Sequence, residues 1–338
     1  MKKYQSEIYN NTTPIIKNNF QRPVSSQLAQ QQQYTADGKK HTIFDKTISI
    51  NSQFRDNYYK TKSTKFSISL PTKLKNVTTM EITHFEMPEA YYQFSKALGN
   101  NFFWFGWDKG GTGLKWYYVN IPDGTHSRAE LQNIINVNIE IATGLDPASP
   151  VCKIDVASQK TIFSVAPADK LKLKFNQTRH GNNITVAASV AEAAWKDIFS
   201  NTNLAENCAW VLGFRAAEYI NSDAYVSEGL FDYWGPKCIY VIVDDFNKNF
   251  SNNIEPTYHF SLGNDNILAR ISLPPITSGI KSGISLARRD SHKMTRRTYQ
   301  GPVDIEKMNI SVVDEYGRIV DLNNMDISLA INCTCLFN

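Results

Sequence analysis

The sequence predicts a mainly β protein with a mixed α+β block in its middle and an extended N-terminal arm. Many segments alternate apolar and polar residues at the two-residue spacing of a half-buried strand. Aromatic residues make up 12% of the chain, with Tyr and Phe well ahead of Trp, and aromatic side chains favour strands. A chain of 338 residues is long enough for one large β domain or for two domains.

The overall charge and the cysteines exclude several classes of protein. A net charge of +4 is mild, so any contact with nucleic acid must depend on local patches. Five cysteines without a CxxC pair argue against a zinc ribbon or a disulfide framework, and predict reduced, mostly buried thiols. The N-terminus lacks the apolar segment of a signal peptide and no apolar run would span a bilayer, so we expect a cytosol-like compartment.

Residues 1–45 are predicted to form an extended or disordered N-terminal arm. Gln, Asn, Ser and Thr dominate this segment, and no strand or helix period is sustained along it. Two interpretations stay open, a disordered tail and an extended arm that becomes ordered against neighbouring subunits.

Strand patterns dominate residues 46–98 and 216–338. Apolar residues at 48 and 50, the run 77–87 and the unbroken apolar segment 238–243 all indicate sheet elements. The final segment alternates most regularly and predicts one apolar face, formed by Ile327, Leu329, Ile331, Cys333, Cys335 and Phe337. Cys333 and Cys335 are therefore expected to be buried core residues and not metal ligands.

Residues 99–215 mix helix and strand signals and are predicted to form an α+β insertion lobe. A glycine-rich turn at 109–113 between two aromatic segments indicates a hairpin. Ser127 and Glu130 form a capping box ahead of apolar residues at helical spacing, which predicts a helix at about 128–142. A second hairpin is predicted at 153–165, and the Ala-rich segment 189–199 is compatible with a second helix.

No residue pattern indicates catalysis, a cofactor or a metal site, so we predict a structural protein and not an enzyme. The six histidines are scattered without the spacing of metal ligands. Asp244 and Asp245 follow a buried strand, where neighbouring side chains point to opposite faces, so a role in a turn is favoured over a metal site.

One basic segment is the exception to this lack of binding signals. It contains the predicted contact residues Lys281, Arg288, Arg289, Lys293, Arg296 and Arg297. Such a segment can bind phosphates or an acidic surface. A solvated loop, an acidic neighbouring subunit, and a DNA or membrane surface are the three interpretations.

Several stretches of the sequence resemble minor capsid and penton proteins of nucleocytoplasmic large DNA viruses and their virophages. They are ITHFEMPEAYYQFSKALGNNFFWF, IPDGTHSRAELQNIIN, WVLGFR, IYVIVDDFNKN and GPVDIEKMNISVVDEYGRIVDLNNMDISLAI. The resemblance extends from about residue 46 to the C-terminus. It implies an antiparallel jelly-roll sandwich made by residues 46–98 and 216–338, with residues 99–215 as its insertion.

The function that the resemblance implies is a penton protein, five copies of which form the vertex of an icosahedral capsid. The expected partners are copies of itself and other major and minor capsid proteins, with an internal membrane or DNA as further partners of the basic segment. The expected location is the virion capsid, assembled in the host cytoplasm. The alternatives are a minor capsid or cement protein that links capsomers, and a glycan-binding module that uses Tyr91, Tyr92 and the aromatic residues 104–107.

Overall fold

A computed structural model of the chain describes residues 32–34, 40–145, 150–175, 190–191, 204–232, 235–250, 266–273, 283–287 and 296–337. The described chain is mainly β and antiparallel, as predicted. The strands are β1 (Gln32–Tyr34), β2 (Lys40–Asn51), β3 (Lys65–Pro88), β4 (Phe102–Asp108), β5 (Lys115–Asn120), β6 (Cys152–Ile154), β7 (Thr161–Ser164), β8 (Lys170–Lys174), β9 (Val190–Ala191), β10 (Glu218–Ser222), β11 (Ala224–Val226), β12 (Cys238–Asp244), β13 (Ile267–Ser272), β14 (Gly283–Ala287), β15 (Arg297–Asp314) and β16 (Ser328–Phe337). The helices are α1 (Arg128–Thr143) and α2 (Cys208–Leu212), with short 3₁₀ turns at Ser52–Phe54, Tyr58–Lys60 and Leu204–Glu206. No described helix is both long and apolar enough to cross a membrane.

The largest sheet has eight strands and wraps around its own core. Its strand order is β1-β2-β16-β3-β15-β12-β13, with β14 also paired to β3. The first part of β3 pairs with the end of β15, as at Lys65 and Ser311, whereas its last part pairs with β16, as at Glu86 and Ser328. Asn76, between the two parts, has a φ of 54°, and the pairing with β15 shifts register repeatedly nearby. The sheet therefore curls from one face of a sandwich to the other, which confirms the jelly-roll prediction.

The interior of this sandwich is filled mainly by aliphatic and sulfur-containing side chains. Met80 and Ile331 come from one side of the curled sheet, and Val241 and Leu268 from the other, yet all four belong to one buried cluster. Burial of this apolar surface from both sides is the main force that holds the layers together.

The C-terminal strand behaves as predicted along most of its length. Leu329, Ile331, Cys333 and Cys335 are buried in the sandwich core. Phe337 was predicted on the same apolar face, but it is exposed because β16 extends past the core at this end, where its ring packs edge-on against Phe44 at 6.4 Å. All five cysteines are buried and free, which confirms the prediction of buried thiols.

The first long strand begins before the predicted end of the arm. Strand β2 starts at Lys40, and its residues from Thr42 onward pair with β16, so residues 40–45 belong to the sheet. The short strand β1 pairs with β2 in turn. The remainder of the predicted arm, residues 1–31 and 35–39, lies outside the described residues.

A second buried cluster forms within the predicted insertion. It is held by a five-stranded sheet of order β10-β8-β4-β5-β9, a three-stranded sheet of order β11-β7-β6, and helix α1. The buried members of this cluster run from Phe94 to Phe231, beyond both predicted limits of 99 and 215. The division of the chain into separate domains stays a prediction.

The local predictions inside this region are largely confirmed. Helix α1 begins after Ser127, and both hydrogen bonds of the capping box with Glu130 are present. The two predicted hairpins are the β4–β5 and β6–β7 pairs. Within the Ala-rich segment 189–199, residues 190–191 form β9 on β5 instead of a helix, and the other residues lie outside the described part of the chain.

Candidate functional site: surfaces at the two ends of the sandwich

The connection between β2 and β3 carries several exposed aromatic residues, and we call residues 52–61 the aromatic loop. Two short 3₁₀ turns shape it, Ser52–Phe54 and Tyr58–Lys60. The first turn is capped by the Asn51 side chain, which accepts a hydrogen bond from the Gln53 backbone at 2.9 Å. Residues 55–65 are charged and contain tyrosines, a composition that predicts an exposed connection but not its internal order.

Arg55 holds the aromatic loop together from within. Its guanidinium donates hydrogen bonds to the Ser52 carbonyl and to the Asp326 carboxylate, each at 2.7 Å. It also lies 3.9 Å from the centre of the Tyr58 ring, a cation–π distance. Asp326 accepts a second bond, from the Ser52 hydroxyl at 2.7 Å. Because Asp326 lies just before β16, these contacts tie the aromatic loop to the segment that leads into the last strand.

The loop presents apolar rings to solvent on this ordered frame. Phe54 is 80% exposed and Tyr59 is 99% exposed, while Met325, next to Asp326, is also exposed. Tyr58 and Tyr59 pack edge to face with ring centres 5.4 Å apart. Exposed aromatic residues that are clustered and held in place are typical of protein–protein contact surfaces. The aromatic loop is therefore the best candidate for an intersubunit surface in the described chain.

The opposite end of the sandwich contains a second arginine network, centred on Arg297. At one end of the sandwich, the start of β12 lies beside the end of β15, because Ile239 pairs with Asp314. The segment after Asp314 leads to Ser328, and Ser328 pairs with Asn51, so the end of β2 lies at the same end. The aromatic loop lies at that end. Asp245, which follows the last residue of β12, lies at the other end.

Arg297 is buried at this second end and binds groups of its own chain. Its guanidinium lies 3.3 Å from the Asp245 carboxylate and donates to the Asn266 carbonyl at 3.0 Å. The Tyr299 hydroxyl donates a short hydrogen bond to the same carboxylate. Burial and the negative charge of Asp245 raise the pKa of Tyr299, so its hydroxyl stays protonated and available as a donor.

Arg297 was predicted to contact a partner or a polyanion; its side chain is buried beside Asp245, and the contact role stays a prediction. The sequence placed it in a run of basic residues, but the alternation of β15 turns its side chain into the protein. Asp245 was predicted to have a role in a turn, and its carboxylate accepts a hydrogen bond from the Asn247 side chain at 3.2 Å. The same carboxylate also neutralises Arg297. Pairing of residues 52 positions apart depends on the fold, and no local sequence signal reveals it.

Arg296 is the other described member of the basic segment, and its side chain is partly exposed. Its Nε atom lies 4.0 Å from the Glu81 carboxylate, and its Nη2 atom donates to the Thr334 hydroxyl at 3.4 Å. Lys281, Arg288, Arg289 and Lys293 lie outside the described residues. The predicted contact role of these five basic residues stays a prediction.

Most of the aromatic residues proposed for glycan binding are buried, whereas Tyr92 is partly exposed. Trp104 and Trp107 are buried, and the Trp107 indole donates to Asp169 at 3.0 Å. Tyr91 is buried as well. Because Phe105 and Trp107 of strand β4 pack into the core of the inserted region, residues 104–107 offer no exposed platform. The glycan-binding alternative stays a prediction. Within the described ranges, no group of three or more His, Cys, Asp or Glu residues is placed to hold a metal ion.

The fold defines the protein as a jelly-roll sandwich with an inserted α+β region. No protein-family model matches the chain, and no curated protein matches it. Among solved structures, the chain is similar to the penton protein of mavirus, with 10% identity, a TM-score of 0.45, and coverage of 87% of this chain and 99% of that chain. It is also similar to a chain of the Sputnik virophage structure, with 12% identity, a TM-score of 0.38, and coverage of 87% and 97%.

Proposed function

We propose that this chain is a viral capsid protein, and specifically a penton protein whose five copies close a ring at the five-fold vertex of the shell. The observation that carries the proposal is the aromatic loop, an ordered and strongly exposed aromatic surface at one end of a jelly-roll sandwich. The resemblance of the sequence to penton and minor capsid proteins supports the same role. The role is structural, and its mechanism is assembly.

Self-association fits the physical properties of the aromatic loop. Phe54 and Tyr59 expose rings whose burial in a contact is favourable, and the Arg55 network fixes the loop so that little conformational entropy is lost on association. A ring forms when one surface of each copy binds a different surface of the next copy and the rotation closes. The further parts of the proposal are binding of neighbouring capsid proteins, residence in the virion capsid and assembly in the host cytoplasm.

The proposal is tested by measuring the mass of the purified full chain in solution. Analytical ultracentrifugation and native mass spectrometry are expected to detect a pentamer in equilibrium with monomer, and negative-stain images to show five-fold rings. The double variant Phe54→Ser/Tyr59→Ser should weaken association by about tenfold or more, because two aromatic contacts are lost.

A matched control removes exposed apolar surface elsewhere. Val156 is 75% exposed and lies in the turn between β6 and β7, so Val156→Ser should leave association unchanged. A chain that stays monomeric at every concentration and binds no capsid component would overturn the penton proposal. So would a double variant that assembles as the wild type does.

A further inference from the structure

A cavity of about 570 Å³ opens between the sandwich and the inserted region. Its wall combines the segment after β15, the segment after β3 and residues around α2; the residues that matter here are Tyr91, Gln93, Trp210, Glu315, Tyr316 and Arg318. This volume is in the range of sites that hold a small molecule or an inserted side chain. The proposed capsid role does not use the cavity.

Three oxygen atoms in the cavity wall have no hydrogen-bond partner among the described residues. They are the Tyr91 hydroxyl, the Gln93 Oε1 atom and the Glu315 Oε2 atom. Tyr91 and Gln93 are each more than nine-tenths buried. The Gln93 amide nitrogen is already bound to the Asp232 carbonyl at 3.0 Å, which fixes the side chain with its oxygen as the remaining acceptor. Buried polar groups are normally paired, and the only other unpaired atom of this wall among the described residues is a donor, Arg318 Nη1. Three oxygens against one donor indicate a ligand that mainly donates hydrogen bonds.

The charge of the wall indicates the sign of that ligand. Six acidic and three basic residues line the cavity, a net charge of −3; they are Asp123, Glu206, Asp232, Asp314, Glu315 and Asp321 against Lys62, Lys237 and Arg318. Each basic residue already lies within ion-pair distance of a lining carboxylate, at 3.2 Å for Lys62 and Lys237 and at 2.7 Å for Arg318. An anion would therefore meet a wall of net negative charge, in which the unbonded Nη1 atom of Arg318 still lies 3.8 Å from the Glu206 carboxylate.

Glu315 is the acidic residue of the wall whose ionisation its surroundings disfavour most. Burial raises its pKa, and the neighbouring charge of Asp314 raises it further. Burial, with the charges of Glu89 and Glu315, also raises the pKa of Tyr91. Tyr91, Tyr92, Trp210 and Tyr316 add aromatic rings to the wall, and such rings attract cations.

We propose that this cavity binds an organic cation, a guanidinium or alkylammonium group, through the Tyr91 hydroxyl, the Gln93 oxygen and the Glu315 carboxylate. A guanidinium has five donor N–H groups and an ammonium has three, enough to satisfy all three oxygens. The cation has two conceivable sources, a basic side chain of another protein and a free polyamine. The inference goes beyond the proposed capsid role and does not depend on self-association.

Calorimetric titration of the full chain with two cations tests the proposal. Nα-acetyl-arginine amide stands for a protein side chain, and spermidine stands for a free polyamine. At least one is expected to bind saturably, and the tighter one identifies the source. Nα-acetyl-citrulline amide, which has nearly the same shape without the charge, should bind about tenfold more weakly than the arginine derivative.

Variants assign the binding to the cavity. Glu315→Gln should weaken binding of the cation about tenfold, and Tyr91→Phe, which keeps the ring, should weaken it roughly threefold. Glu140→Gln removes the same charge from helix α1, outside the cavity wall, and should leave binding unchanged. Absence of binding by both cations would overturn the proposal, and so would an unchanged affinity in Glu315→Gln. Methyl glucoside serves as an uncharged sugar probe, and binding of it or of the citrulline derivative as tight as that of the cations would also overturn the proposal.

Discussion

The two ends of the sandwich use the same chemistry with opposite results. Arg55 and Arg297 have side chains that are each only 3% exposed, and each binds an aspartate far away in the sequence. The partner of Arg297 is fully buried, whereas the Asp326 partner of Arg55 is 24% exposed. Around Arg297, Tyr299 is buried and Phe250, whose ring centre lies 4.2 Å from the guanidinium, is partly buried. Around Arg55, Phe54 and Tyr59 are strongly exposed. One arginine therefore closes an end of the fold, while the other supports a surface for contact.

We call the end of the sandwich around Arg297 the closed end and the end with the aromatic loop the open end. The largest effect is expected from removing the partner of Arg297 at the closed end. Asp245→Ala removes the carboxylate that neutralises Arg297 and accepts from Tyr299, which leaves a buried charge without its partner. We expect a loss of about 3 to 5 kcal/mol in the free energy of unfolding, measured by urea denaturation. Asp244→Ala is the matched control, because Asp244 is only half-buried and its carboxylate accepts one backbone bond, from Phe246 at 3.1 Å. Equal losses in the two variants would contradict the buried network.

A smaller loss is expected from the same kind of change at the open end. Arg55→Ala leaves Asp326 without its guanidinium, but water can solvate this partly exposed carboxylate, so the expected cost is about 2 kcal/mol. The variant should also weaken self-association, because the aromatic loop loses its frame. Lys62→Ala breaks the exposed ion pair with Asp321 at 3.2 Å and should cost less than about 1 kcal/mol. A loss in Arg55→Ala as large as in Asp245→Ala would remove the distinction between the two ends.

A single hydroxyl at the closed end should contribute less again. Tyr299→Phe keeps the ring and removes the donor to Asp245, so we expect a loss of about 1 to 2 kcal/mol in the free energy of unfolding. Tyr59→Phe removes a hydroxyl from the exposed aromatic loop and should change stability by less than about 0.5 kcal/mol. If both variants unfold at the wild-type urea concentration, the Tyr299 hydrogen bond does not contribute to stability.

The smallest effect concerns Glu315, near the open end, and it depends on pH. Burial raises the pKa of this carboxyl group in the folded state above its value in the unfolded chain. Its contribution to stability is therefore present below the unfolded pKa and is lost as pH rises through the folded pKa. Glu315→Gln removes this loss, so the variant should melt roughly 1 °C above the wild type at pH 7 and about equally at pH 4. A variant that melts lower at pH 7 would contradict the expected shift.

The parts of the fold that depend on local patterns were predicted well. The capping box at Ser127 and Glu130 defined the start of helix α1, because both hydrogen bonds form between residues three positions apart. The apolar alternation of the last strand predicted the burial of Cys333 and Cys335, since successive side chains of a strand point to opposite faces. The glycine-rich turn located the β4–β5 hairpin for the same local reason.

The candidate sites were predicted less well, because they consist of residues that are distant in sequence. Arg297 and Arg296 are neighbours of the same residue type, yet one lies in the interior and the other is partly exposed. The aromatic loop was recognisable as an exposed connection, but its frame requires Asp326, 271 positions away from Arg55. The cavity wall brings together residues from 62 to 323, and no spacing in the sequence indicates that they meet.

The sequence by itself determined the β-rich architecture, the inserted α+β block and the burial of the cysteines, because each follows from periodicities and turn residues that act over a few positions. The tertiary structure alone decided which charges are neutralised inside the protein, which rings face solvent and where a cavity remains. Those outcomes depend on which strand ends meet when the sheet curls, and burial at that meeting point sets whether a given arginine stabilises the fold or supports a surface for binding.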